Sequence, residues 1–279
     1  MQVLVTKADM KKWSIEKKKS KTICLVPTMG YFHQGHISLM KKGKTLADEL
    51  VVSIFVNPTQ FGHNEDLDHY PSDIKKDLVL AKKIGASAVF LPDKKDIFEK
   101  NFQTQITLEP LSLYLCGKSR PSHFQGVATI VTKLFNIIAP DIAVFGQKDF
   151  QQLQIIKQLV KDLDFNIKIV SGRIIREKDG LAMSSRNSYL SNQQRKIALN
   201  LFKSLNLVKN SIKKGEKNIG VIKAMLEDFF KPYKELQIEY LCFCNTETLV
   251  EVDILDSQVL FAVAAKIGTT RLIDNLIIG

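Results

Sequence analysis

"TICLVPTMGYFHQGHISLMKKGKTLADELVVSIFV", Thr22 to Val56, holds two short apolar runs on either side of a segment with helical spacing. "TICLV" (Thr22–Val26) and "LVVSIFV" (Leu50–Val56) read as strands buried on both faces, because their apolar residues run on without alternating. "HISLMKKGKTLA" between them repeats its apolar residues at helical intervals. A buried strand, a helix and a second buried strand make a parallel βαβ unit. The same rhythm continues to residue 175. "DIKKDLVLAKKIG" follows Ser72, its expected N-cap, and stops at Gly85. "AVFLP", "DIAVFG" and "NIKIVSG" are further strands, and "FQQLQIIKQLVKDL" is a helix. "GVATIVTKLFNIIAP" is apolar nearly all round, so it is a buried helix. The expectation is a doubly wound parallel α/β sheet, a fold that receives ligands at the carboxyl ends of its strands.

After "REKDGLAMSSRNSYLS" the pattern changes. A long helix follows the Ser191 cap and ends at Gly215, and "GVIKAMLEDFFKPY" is a second helix. Strand-like runs follow at "LQIEYLCFC", "VLFAVAAKI" and "TTRLIDNLII". These make a smaller α+β domain, so the expected domains are 1–175 and 176–279. Apolar residues at 45% and charged residues at 25% exclude wholesale disorder. No apolar run is long enough to span a bilayer and no signal peptide opens the chain, so a cytoplasmic protein without a membrane partner is expected. Cys24, Cys116, Cys242 and Cys244 lack metal spacing and read as reduced packing residues. The net charge of +11 suits anionic ligands. The lysine runs "KKWSIEKKKSK" and "NSIKKGEKN" have no interleaved aromatics, so they form no stacking platform and no nucleic-acid partner is expected.

Four polar constellations each follow an apolar run. In "PTMGYFHQGH", Pro27 ends the strand, and Gly30 and Gly35 let the backbone approach a ligand closely. His33 and His36 then lie at a helix entrance, beside open N–H groups and the positive dipole end, which is an anion site. Zinc is a poor fit, since His63, His69 and His123 are scattered and supply no third ligand at metal spacing. "FVNPTQFG" offers Asn57 and Gln60, neutral amides that orient hydroxyls and carboxylates. "FGQKDFQQLQ" offers Gly146, the mobile cation Lys148 and Asp149 as a helix cap. "DGLAMSSRNSYL" offers Ser184, Ser185 and Arg186 as a phosphate clamp at the expected domain junction, where a hinge could close it. Because Ser191 caps the next helix, capping leaves Ser184 and Ser185 unexplained. Neither Walker nor Gly-x-Gly-x-x-Gly glycine patterns occur. The residues alone lead to a phosphate-handling α/β transferase.

"PTMGYFHQGH", "SIFVNPTQFG", "DLDHYPSD", "RPSHFQGVATIVTKLFNIIAPDIAVFGQKDFQQL" and "DGLAMSSRN", in this order and followed by "RLIDN", resemble the motifs of the pantothenate synthetase (pantoate–β-alanine ligase) family. The His-x-Gly-His element alone marks only the wider nucleotidyltransferase superfamily. The resemblance implies a Rossmann-like first domain that binds ATP and pantoate, with the smaller C-terminal domain closing over the site. It implies condensation of (R)-pantoate with β-alanine, ATP being cleaved to AMP and pyrophosphate through a pantoyl-adenylate. Mg²⁺ would accompany ATP, and the enzyme would be a homodimer. Residue by residue, Met29, Gly30, Tyr31, Phe32, His33, Gln34, Gly35 and His36 match an ATP-binding run, with His36 as proton donor. Gln60 matches a contact to pantoate and β-alanine, and Gln152 a second contact to pantoate. Gly146, Gln147, Lys148 and Asp149 match another ATP-binding run, as do Met183, Ser184, Ser185 and Arg186, while Ile175 matches a backbone contact to adenine. Asn57 joins the small-acid set on its amide chemistry, and His33, His36, Lys148 and Arg186 carry the charge stabilisation. Gln34 and Gln147 stand where many members carry glutamate. An adenylyl- or cytidylyltransferase that stops at the activated product is the competing enzyme, and the neutral Asn57, Gln60 and Gln152 set argues against it.

Overall fold

The computed structural model describes residues 1–62 and 65–279, so His63 lies outside the described residues. In chain order its regular elements are β1 (Gln2–Leu4), α1 (Lys7–Lys18), β2 (Ile23–Thr28), α2 (Gln34–Leu46), β3 (Glu49–Ile54), α3 (Ile74–Ile84), β4 (Ala88–Phe90), α4 (Lys94–Ile97), α5 (Cys116–Ser119) and α6 (His123–Ile138). They continue with β5 (Ile142–Gly146), α7 (Phe150–Asp162), β6 (Lys168–Gly172), α8 (Asn192–Lys213), α9 (Ile219–Phe230), β7 (Leu236–Asn245), β8 (Val259–Ile267) and β9 (Thr270–Ile278). The chain divides into two compact units. One comprises Met1–Leu113, Gly117–Gln147 and Gln151–Arg173, and the other Tyr114–Cys116, Lys148–Phe150 and Ile174–Gly279.

The first unit is the expected α/β sheet. Its six strands lie in the order β1-β4-β3-β2-β5-β6, and all their pairings are parallel. Every residue of β3 is buried, Glu49 and Ser53 included, as expected of a strand whose apolar residues do not alternate with polar ones. Each Val, Leu or Ile so buried contributes about 1.5–3 kcal/mol. The chain leaves β2 towards β3 and β4, then returns to β5 on the other side of β2. The switch point of the sheet therefore lies between β2 and β5. These two strands pair at Cys24↔Ile142 and Leu25↔Ala143, while β2 continues along β3 as far as Thr28. Beyond Leu25 the β5 side of β2 is open, which accommodates Pro27 inside the strand, where the sequence places it at the end. The N-cap of α3 is Asp73, which accepts the Lys76 N–H at 3.1 Å, and not Ser72. Helix α6 is buried along most of its length, as its all-round apolar pattern predicts.

The second unit carries an antiparallel sheet, β7-β8-β9, with α8 and α9. Ser191 caps α8 by accepting the Gln194 N–H, and Gly215 follows the helix at φ 95°. All four cysteines are buried and remain thiols. Burial pushes the Cys24 thiol up to about 12, which makes it a poor nucleophile. Among the described residues no helix is long and apolar enough to cross a membrane.

Candidate active site

The loop leaving β2 is folded by its own backbone requirements. Gly30 and Tyr31 are both left-handed, at φ 87° and 53°. A Cβ on Gly30 would stand 3.1 Å from Asp77 Oδ2 and 3.2 Å from Ile54 Cγ2, so both conformation and space call for glycine. Thr28 Oγ1 donates to the Ser53 carbonyl at 2.7 Å and accepts the Gly30 N–H at 3.2 Å. The tyrosine is held in its strained conformation by Asp77 on α3. Asp77 Oδ2 accepts the Tyr31 N–H and Oδ1 the Phe32 N–H, each at 2.7 Å. Burial raises the Asp77 pKa, and the two N–H groups only partly offset it.

At the entrance of α2, His33 is the N-cap. Its Nδ1 accepts the Gly35 N–H at 3.1 Å, and its own N–H donates to His36 Nδ1 at 3.3 Å. The rings lie 4.1 Å apart between centroids. With an amide proton directed at each Nδ1, the ring proton sits on Nε2 in both histidines. Each is thereby preset as an Nε2–H donor at the positive end of a helix, a combination suited to phosphate oxygen. Gln34 is exposed, and Gly35 is half-buried.

The structure joins the first two motifs. Gln60, in the 3-10 turn Pro58–Gln60, donates from Nε2 to Met29 Sδ at 3.2 Å, and Asn57 Nδ2 donates to Gln60 Oε1 at 3.1 Å. Asn57 is buried and also donates to the Gly126 carbonyl on α6 at 3.1 Å. The Gln60 carbonyl accepts from His123 Nδ1 at 2.8 Å and from Arg120 Nη2 at 3.2 Å. His123 must therefore be protonated at Nδ1, because a carbonyl only accepts. Arg120 is held in turn by Glu65. Burial would raise that carboxyl, but the hydrogen bonds and charge of Arg120, with His123, keep it below its ordinary value. Gly146 ends β5 and Gln147 follows it at the switch point, both half-buried. On α7, Gln152 is half-buried next to Gln151, whose amide is committed to the Leu111 carbonyl at 2.9 Å.

In the second unit, Ile175 and Met183 meet across a tight hairpin, where the Met183 N–H donates to the Ile175 carbonyl at 2.9 Å and Arg176 bridges Ala182. Ser184 does cap, contrary to the sequence expectation. Its Oγ accepts the Arg186 N–H at 3.3 Å and starts the 3-10 turn Ser185–Tyr189, in which Ser185 is buried. The Lys148 carbonyl accepts from Asn275 Nδ2 at 2.9 Å, and Asp149 beside it is exposed. Burial is the largest influence on the Lys148 ammonium and lowers its pKa. Asp149 and Asp274 oppose that, while Arg186 and Arg176 add to it.

Sequence reasoning misses Asp77, Arg120, His123 and Asn275. Asp77 reads only as part of a helix pattern, and His123 as one of several scattered histidines, standing in a quoted family motif but given no role there. Asp77, His123 and Asn275 bond to backbone amides and carbonyls, which leave no side-chain motif to find, and Arg120 pairs with Glu65, 55 residues away in the chain. Among the described residues no three His, Cys, Asp or Glu side chains converge to hold a metal ion. The donors at the α2 entrance are N–H groups, which suit phosphate oxygen and not Mg²⁺, a cation that takes oxygen ligands. A divalent ion fits this donor set when it arrives on the phosphates.

A family model described as pantoate-beta-alanine ligase matches residues 2–277. The pantothenate synthetase of Desulforapulum autotrophicum is 56% identical over 279 residues, covering 100% of this chain and 99% of its own. That of Caldicellulosiruptor saccharolyticus is 51% identical over 262 residues, covering 94% and 93%. The crystal structure of pantothenate synthetase from Thermus thermophilus superposes with a TM-score of 0.94 at 35% identity, covering 99% of each chain. The pantoate-beta-alanine ligase of Francisella tularensis, solved in complex with beta-gamma ATP and beta-alanine, gives 0.81 at 32% identity, covering 99% of this chain and 97% of its own.

Proposed function

Because the chain belongs to the pantoate–β-alanine ligase family, we propose that it condenses (R)-pantoate with β-alanine at the expense of ATP. In the first half-reaction a pantoate carboxylate oxygen attacks the α-phosphorus of ATP. The bond to the β-phosphate breaks, and pyrophosphate leaves with the electron pair. Two anions must approach each other, so donors around the phosphates supply most of the rate enhancement, each worth about 3–4 kcal/mol of barrier. His33 and His36 donate from Nε2–H, His36 being the proton donor to the phosphates. Lys148 and Arg186 supply positive charge. Met29–His36, Gly146–Asp149 and Met183–Arg186 bind ATP, and the Ile175 backbone meets adenine. Mg²⁺ carried on the nucleotide would neutralise part of the phosphate charge beside His33, His36, Lys148 and Arg186.

In the second half-reaction the amine of β-alanine attacks the acyl carbon of pantoyl-adenylate, and AMP leaves. This needs a neutral amine held against a reactive mixed anhydride, which is positioning more than acid–base catalysis. Gln60, Gln152 and Asn57 hold the small acids by neutral hydrogen bonds. The observation that carries the reading is the pair of amide-capped histidines at the entrance of α2, coupled through Met29 to Gln60. A homodimer working in the cytoplasm belongs to the same proposal, supported by the family resemblance and by four cysteines kept as thiols. Purified protein with ATP, Mg²⁺, pantoate and β-alanine is expected to release AMP only when pantoate is present. AMP release that is independent of pantoate, or none at all, overturns the ligase assignment.

A further inference from the structure

We infer that Asp274 and Asn275 on β9 are positioning residues for Lys148: Asn275 fixes the backbone from which the lysine projects, and Asp274, paired with Arg176, sets the local field of its ammonium. The inference rests on the reading of Lys148 as a phosphate-binding cation.

Both residues are almost fully buried, at 3% and 4% exposure, in the middle of an antiparallel strand where apolar side chains are the ordinary choice. A buried carboxylate is costly unless paired and hydrogen-bonded. Asp274 meets that requirement in full. It receives Arg176 in a fork, Nη1 to Oδ2 at 2.5 Å and Nη2 to Oδ1 at 3.0 Å, and accepts the Asn275 N–H at 2.8 Å. Arg176 is itself fixed, donating to the Gly180 carbonyl at 3.1 Å and lying 4.5 Å over the Phe202 ring. Asn275 then reaches the Lys148 carbonyl, 127 residues away in the chain. The two consecutive residues of β9 thus connect a fixed ion pair to the backbone of one particular lysine.

The charges that bear on Lys148 come from three segments. Asp149 is its chain neighbour, Asp274 lies on β9, and Arg176 and Arg186 lie in the 174–189 segment. Burial disfavours the ammonium, and the two carboxylates oppose that effect. Removing the Asp274 charge withdraws one of the two and exposes the lysine to an uncompensated Arg176.

The test is the pH profile of kcat/KM for ATP, read from pantoate-dependent pyrophosphate release. Asp274→Asn is expected to move the alkaline limb to lower pH. Arg176→Gln, which removes a cation instead, is expected to move it upward. Limbs that stay in place, or that shift in the same direction in both variants, overturn the role given to Asp274. Asn275→Ala is expected to lower kcat for the first half-reaction by about a hundredfold, the scale of a roughly 1 Å misplacement. Its alkaline limb and the KM for β-alanine should stay put, and full turnover would overturn the role given to Asn275. Lys148→Ala separates the two levels of the argument. If it retains pyrophosphate release, the underlying reading of Lys148 fails; if it is inactive while the limbs do not move, only the present inference fails.

Discussion

Asp77 shows how far a site can depend on a residue without a motif. The position of His33 and His36 at a helix entrance was legible, because an apolar run, glycines and a helical pattern follow one another there. Asp77 was not, since "DIKKDLVLAKKIG" reads only as a capped helix pattern, and its partners are the amides of Tyr31 and Phe32. The first of these belongs to a non-glycine residue at φ 53°, a conformation that costs about 1–2 kcal/mol. Asp77→Ala leaves both amides without their acceptor, at about 1–3 kcal/mol each, and removes what holds Tyr31 left-handed. The variant is expected to melt at lower temperature and to show a raised KM for ATP, with the KM for pantoate much less affected. Asp77→Asn, which keeps one acceptor, should fall between. A lowered melting temperature with an unchanged KM for ATP would confine Asp77 to a structural role.

The helices show the same division at the level of elements. That α6 is a buried helix was legible from its all-round apolar pattern, and the Ser191 cap from its position before a periodic run. Why α6 must approach the Pro58–Gln60 turn so closely was not legible, because the reason lies in backbone atoms far away in sequence. A Cβ on Gly126 would stand 2.3 Å from the Thr59 carbonyl oxygen and 2.7 Å from the Gln60 nitrogen. Alanine is the better helix former by about 1 kcal/mol. Overpacking against backbone costs about 1–3 kcal/mol, and here no flexible side chain can yield. The clash wins, and the turn carrying Gln60 has to move away from Arg120 and His123, which hold its carbonyl. Gly126→Ala is therefore expected to raise the KM for pantoate more than that for ATP. Equal changes in both constants would mean that the damage is spread through the unit and not focused on the Gln60 turn.

On the scale of the whole molecule, the parallel sheet was legible because strands buried on both faces are written as unbroken apolar runs. Strand β1 was not, being three residues long with Gln2 and Val3 exposed. Nor was the recruitment of Tyr114–Cys116 and Lys148–Phe150 to the second unit, since such short pieces are assigned by contacts that no local pattern records. Net charge needs no fold to be read, and its consequence reaches the kinetics. At +11 the protein attracts anions over distances set by the Debye length, about 10 Å at 0.1 M salt. ATP and pantoate are anions, whereas β-alanine is a zwitterion with no net charge near neutrality. Added salt should therefore lower kcat/KM for ATP, and to a lesser extent for pantoate, while that for β-alanine holds steady. Measuring the three constants across a potassium chloride series checks this. A parallel fall in all three would point to a general effect of salt on the fold. A selective fall for the two anions ties the excess of lysine and arginine to substrate capture, the role for which an anion-activating ligase has a use.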